Sequence, residues 1–298
     1  MAFAVSFGAN GDDKNRTVHL IESQGGQLLE PGFEVLFEID GTFPTPAKPR
    51  SPIKSPANAR KSNQAFDSPA AAVASATAAD ASTAFRLTPE AQKLGFVALI
   101  ADVHSRRAKY MQALALGLPC LHHRYLTDCA ATSAILPFEP YLLPAGESAF
   151  LGGAVRSRIL APYDTRQARF REVVERRVKL LKGRSVLLVM GKGRVEERRR
   201  AYLFLTYALG AERILRVRDL GEAKLALQQE RRGAWDWVYV DGIEKEAERV
   251  LLGGSVAAGK KRKRGAEEVG AAVGGNKPKV VGDEFVIQSL ILGALLEE

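Results

Sequence analysis

Apolar residues along the chain fall into two similar series of short blocks. Phe3 to Phe7 is a short apolar run of strand character. Lys14 to Gln24 has helical spacing, with Val18 and Ile21 on one face, and Gly25-Gly26 stops it as glycine does at a helix C-terminus. Phe33 to Phe37 alternates apolar and acidic residues, which predicts a strand. Residues 43–92 change character: Pro, Ala, Ser and Thr dominate, and the stretch is expected to be a disordered insertion. Phe96 to Ala101 then reads as a buried strand. His104 to Leu116 reads as a helix whose apolar positions Met111, Leu114, Ala115 and Leu118 follow i, i+3, i+4, i+7 spacing. Pro119 to His122 is a further short strand, and Tyr125 to Ala131 begins another helix.

The second series repeats the first. After a basic, partly helical connector over 151–180, Ser185 to Met190 is an apolar strand. Val195 to Leu209 is a helix with Ala201, Phe204, Leu205 and Ala208 on its buried stripe. Ile214 to Val217, Glu222 to Gln229 and Trp235 to Val240 read as strand, helix and strand. Residues 253–278 are a low-complexity insertion, after which Val280-Val281 resumes a strand and Glu284 to Leu296 forms a last helix. Two similar α/β units of this size predict a tandem, with domain 1 over 1–150, a linker over 151–180 and domain 2 over 181–298.

Composition narrows the classes. The 298 residues suit about two domains. No apolar run approaches the roughly 20 residues that span a bilayer, and Met1 to Phe7 lacks the features of a secretory signal. A soluble intracellular protein without a membrane partner is therefore expected. The net charge of +9 favours acidic partners. The two cysteines, Cys120 and Cys129, and the four histidines have no metal-ligand or catalytic spacing, so neither a metal nor an organic cofactor is expected. Gly191-Lys192-Gly193 lacks the remaining residues of a nucleotide loop. Lys260 to Arg264 suits a nuclear-import signal or a nucleic-acid contact. Ser51, Ser55 and Ser68 each precede proline, and Ser51 also has a lysine at +3, the pattern of a proline-directed kinase site.

Several stretches resemble the BRCT fold: Gly25-Gly26 after the first helix, the looser Gly210-Ala211 in the second unit, and Tyr125 and Phe285 at the places where that family usually has a tryptophan. A narrower likeness runs through Val97 to Asp102, Arg106 to Tyr110, Gly117 to Cys120 and Tyr141 to Gly146. Ser185 to Val189 and Phe285 to Ile291 carry it into the second unit. These resemble the C-terminal tandem BRCT region of DNA-damage checkpoint mediators, the fungal adaptors and their animal p53-binding relatives. The resemblance implies a fragment from the end of a longer protein with methyl-lysine-reading modules upstream. It also implies two parallel four-stranded sheets flanked by helices, and a nuclear adaptor with no catalytic activity.

A phosphoserine reader needs a hydroxyl, a backbone amide and a cation converging on one point. The resemblance places the phosphate-contacting hydroxyl at Ser6 and the phosphate-contacting lysine at Lys109. Phe7 supplies the next amide, and Arg106, one helical turn before Lys109, is the candidate for a supporting contact. The second unit has no hydroxyl in the corresponding Met190 to Gly193 turn, so one phosphate pocket is expected, in the first unit. The implied partners are a phosphorylated histone tail or another phosphoprotein, and checkpoint proteins. The basic segments leave a second reading open, a DNA-binding or homodimerising scaffold.

Overall fold

The computed structural model describes residues 1–8, 11–39, 79–80, 85–229, 234–253 and 277–296. In the first unit, β1 (Ala2–Ser6), α1 (Gly11–Ser23) and β2 (Gln27–Leu28) are followed by a 3-10 turn over Phe33–Leu36 and by β3 (Phe37–Ile39). Then come β4 (Ala79–Asp80), β5 (Phe85–Leu87), β6 (Val97–Ala101), α2 (Ala108–Ala115), β7 (Cys120–His122) and α3 (Arg124–Thr132). The parallel sheet has the order β2-β1-β6-β7. After a hairpin of β8 (Gly146–Ser148) and β9 (Ala154–Arg156) the chain runs without regular structure to α4 (Phe170–Arg176). The second unit contains β10 (Ser185–Val189), α5 (Arg194–Ala208), β11 (Arg213–Val217), α6 (Leu220–Gln229), β12 (Trp237–Tyr239), α7 (Glu244–Leu252), β13 (Lys279–Val281) and α8 (Asp283–Leu292). Its four parallel strands have the order β11-β10-β12-β13, the same sequence of neighbours as in the first unit. β4 adds antiparallel to the β11 edge.

The tight turn after α1 explains its two glycines. Gly25 has φ +73°, and a side chain on Gly26 would stand 2.9 Å from the Ile21 side chain and 3.0 Å from its carbonyl. Tyr125 is buried, and its ring lies against Phe96 and Tyr141. Phe285 is half-buried and meets Trp237 edge to face, 5.4 Å between ring centres.

Two predicted elements differ. The stretch predicted as one strand, Phe33 to Phe37, is mostly a turn: Phe33–Leu36 is a 3-10 turn that buries Phe33 and Leu36, and a strand starts only at Phe37. The i, i+3 spacing of Phe33 and Leu36 puts both on one side of a three-residue turn, so the same apolar-acidic pattern satisfies that geometry. The strand that joins the sheet is instead the short Gln27–Leu28. The predicted insertion over 43–92 also ends earlier. Phe85–Leu87 pairs antiparallel with Phe37–Ile39, and Ala91–Lys93 is a 3-10 turn. Phe85 is drawn in by an aromatic cluster, stacked 4.2 Å from Phe37 and packed against Phe204 and Tyr207. Residues 40–78, with Ser51, Ser55 and Ser68, and residues 254–276, with Lys260 to Arg264, lie outside the described residues.

The largest core crosses between the units. Tyr110, Met111 and Leu116 of the α2 region share it with Leu203, Phe204, Tyr207, Ile287 and Leu290 of α5 and α8. α2 packs on both α5 and α8. The opposite faces carry separate cores, around Phe3, Val5 and Ile100 in the first unit and around Leu187, Trp235 and Val238 in the second.

Candidate functional site

The site is built by the unequal length of the strands beside β1. In a parallel ladder successive residues turn their backbone groups to opposite neighbours. Ala2 donates to Phe96 on the β6 side, while Phe3 accepts from Leu29 on the β2 side. Val5 and Phe7 therefore also face the β2 side, but β2 pairs only as far as Phe3. The edge from Val5 to Phe7 is left open. Lys109 fills part of it: its Nζ donates to the Val5 carbonyl at 3.3 Å. The Phe7 amide donates to no acceptor among the described residues.

Side-chain alternation settles which face Ser6 occupies. Phe3, Val5 and Phe7 belong to one core and Ala2 and Ala4 to the other. Ser6 follows Ala2 and Ala4 by the two-residue period, so it stands on the face covered by α2, the helix that carries Lys109. Ser6 is 8% exposed, and its hydroxyl has no hydrogen-bond partner among the described residues. The structure thus brings Ser6, Phe7 and Lys109 to one corner.

The electrostatics come from side chains more than from the helix end. Asp12 and Asp13 already occupy the first turn of α1 and use its positive dipole end. Burial pulls the Lys109 ammonium below the usual lysine range, Glu30 partly restores it, and Lys14 pushes it down again. Lys14 is therefore a second cation close to the site. Gly8 is committed elsewhere: its amide donates to Asp102 Oδ2 at 2.9 Å, and the same carboxylate accepts from Val103. A side chain on Gly8 would meet that oxygen at 3.0 Å.

Arg106 is engaged by a partner from the second unit. It forms an ion pair of 2.9 Å with Glu284 at the start of α8, across the seam between the units. Sequence reasoning missed Lys14, Asp102 and Glu284. Lys14 could have been found as a basic residue in the first helical turn after the Ser6 loop. The partners Asp102 and Glu284 lie 94 and 178 residues from theirs and left no local signal.

At the corresponding corner of the second unit, Val189 stands where the first unit has Ser6. Its carbonyl accepts from Arg199 at 2.5 Å, and Arg199 also donates to the Asp241 carbonyl at 3.0 Å. Arg199 is buried, and its charge is spent on backbone oxygens and the Asp241 carboxylate. Among the described residues no group of three potential metal ligands occurs, and no helix is long and apolar enough to cross a membrane.

No protein-family model matches the chain. The DNA repair protein crb2 of Schizosaccharomyces pombe is 23% identical over 210 residues, covering 67% of this chain and 22% of crb2. The DNA repair protein RAD9 of Saccharomyces cerevisiae is 30% identical over 158 residues, covering 49% of this chain and 10% of RAD9. The repeated strand order and these two matches point the same way. The chain is homologous to crb2 and RAD9 over these stretches, and its two units of one strand order fit the resemblance to tandem BRCT domains drawn from the sequence. It spans about a fifth and a tenth of the lengths of those relatives. Among solved structures, the S. pombe Brc1 BRCT5-BRCT6 domains match 70% of this chain and 82% of theirs, at TM-score 0.39 and 14% identity. The S. pombe Rad4 BRCT3,4 structure matches 100% and 94%, at TM-score 0.24 and 11% identity.

Proposed function

We propose that this tandem BRCT region is a phosphopeptide-reading adaptor of the nuclear DNA-damage checkpoint, not an enzyme, and that its first unit binds a damage-phosphorylated histone tail. The observation that carries the reading is the open β1 edge, where a hydroxyl and an amide that have no partner among the described residues adjoin a half-buried ammonium. A phosphoserine dianion offers three acceptor oxygens, one for each donor. The ammonium is underused: it is held against a single neutral carbonyl, and desolvation disfavours its charge. Glu30 and Glu34 offset this only in part, and a phosphate would supply opposite charge in direct contact with the ammonium. Homology to two DNA repair proteins supports the cellular setting.

The test is calorimetric titration of a histone C-terminal tail peptide with and without one phosphoserine. The phosphorylated form binds and the unmodified form does not; equal affinities would remove the reading. The rival, a DNA-binding or homodimerising scaffold, draws on the net charge of +9 and the Lys260 to Arg264 run. It requires duplex affinity that falls by decades as salt rises, with no preference for phosphopeptide.

A further inference from the structure

A second groove lies away from the phosphate corner, between the connector and both units. It encloses about 620 Å3, within the usual range of ligand sites. One wall is the irregular stretch that continues β9, from Ser157 to Tyr163. The floor includes Leu114 at the end of α2 and Leu290 and Ile291 of α8.

Three independent features of that wall point to one kind of occupant. The first is backbone. β9 pairs only with β8, so its other edge is open, and from Ser157 to Tyr163 no backbone group pairs with another among the described residues. An open edge of this kind is a template for an added strand. The second is apolar exposure. Ile159 is 92% exposed and Val178 across the groove is 70% exposed, whereas Arg158 and Leu160 on either side of Ile159 turn inward, a strand-like alternation. The third is charge. The lining holds five arginines against two carboxylates, Asp164 and Glu172. Arg158 and Arg177 are held by backbone carbonyls, and Arg169 and Arg176 share Glu172 at 3.7 Å each, which leaves the lining with a clear positive excess.

We propose that this groove captures an extended acidic peptide from another protein, which adds as a strand along the edge from Arg156 to Ala161. Its backbone pairs with the open edge. Its apolar side chains, at every second position, cover Ile159 and enter the groove over Leu290. Its carboxylates meet Arg156 and the pair Arg169 and Arg176. The groove is separate from Ser6 and Lys109, so the site stands whether or not the phosphate reading does.

The test is selection of a random twelve-residue phage-display library on the intact chain. The winners are rich in Asp and Glu alternating with Leu, Ile or Val, and synthetic copies bind in solution. Ile159→Pro removes one edge amide at a solvent-exposed position, and Arg156→Glu reverses one charge at the rim. Each weakens the selected peptides by about tenfold or more with the melting temperature unchanged, while Lys109→Met leaves their binding intact. Basic or uncharged winners overturn the proposal, as does binding that Ile159→Pro does not affect. So does a stable dimer in sedimentation that Ile159→Pro dissolves, because the occupant is then a second copy. Displacement of the peptides by an equal concentration of duplex DNA overturns it as well.

Discussion

Lys109→Met separates a binding role from a structural one. Among the described residues the ammonium makes one hydrogen bond, to the Val5 carbonyl at 3.3 Å, and burial holds it below the usual lysine range. Losing that bond costs about 1 kcal/mol, and removing a partly desolvated charge returns a similar amount. Methionine has nearly the same length and keeps the stem's packing against the sheet. The net change in stability stays within about 1 kcal/mol, a shift of roughly 3 °C in melting temperature for a chain of this size. Binding responds differently. A hydrogen bond to a doubly charged phosphate is worth about 1.5–3 kcal/mol, so affinity for a phosphopeptide falls by roughly 10- to 100-fold. A thermal melt gives the first quantity and fluorescence anisotropy the second. Phosphopeptide affinity within about threefold of wild type, or a melting temperature lowered by more than about 10 °C, would refute the reasoning.

Glu284→Ala releases Arg106 from its exposed ion pair and takes the acceptor from the buried Gln288 Nε2, so stability drops by about 1–3 kcal/mol while phosphopeptide affinity, followed by anisotropy, rises by roughly threefold; a fall in affinity would show that Glu284 holds Arg106 in place for binding. Phe204→Ala removes a ring that meets Phe37 and Phe85 of the first unit, costs about 3–5 kcal/mol, and still gives one cooperative urea transition because the core is shared; two separated transitions would contradict this. Asp283 accepts a hydrogen bond from Tyr239 yet is raised above the ordinary aspartate range, chiefly by burial and with Asp241 adding to it. A raised carboxyl binds its proton more tightly in the folded state, so its contribution to stability grows as the pH falls through its folded value and levels off below the unfolded one. Asp283→Asn removes that gain, so its stability, measured by urea unfolding at several pH values, falls relative to the parent chain's as the pH drops through the folded value; a difference that stays constant with pH would count against it.

Much of the fold could be read from the sequence because its elements are periodic or punctuated. The buried strands Val97–Ala101 and Ser185–Val189 are unbroken apolar runs, and Gly25-Gly26 marks a turn where one glycine needs positive φ and the other has no room for a side chain. Short and distant elements were hidden. Gln27–Leu28 is two residues with no apolar alternation, and its place in the sheet comes from the turn that precedes it. Phe85–Leu87 sits at the end of an Ala- and Ser-rich stretch, and its central residue Arg86 pairs with Glu38, 48 positions earlier. Phe33–Leu36 reads Phe-Glu-Val-Leu, a short apolar pattern around one acidic residue that a strand and a three-residue turn both accommodate. The site was legible only through the family resemblance. No spacing rule links Ser6 to Lys109; the parallel ladder does, by placing β1 beside β6 and α2 over both. The Arg106 contact went unseen because its partner lies 178 residues away in the other unit.

Of the three donors at the Val5 to Phe7 edge, the Phe7 amide reports most directly on a bound phosphate. In a 15N-labelled chain titrated with a phosphoserine peptide, the Phe7 resonance should move downfield and saturate with the peptide, while the Gly8 amide, held by Asp102, shifts little. A Phe7 resonance that stays in place while the peptide demonstrably binds would put the phosphate elsewhere and contradict the account.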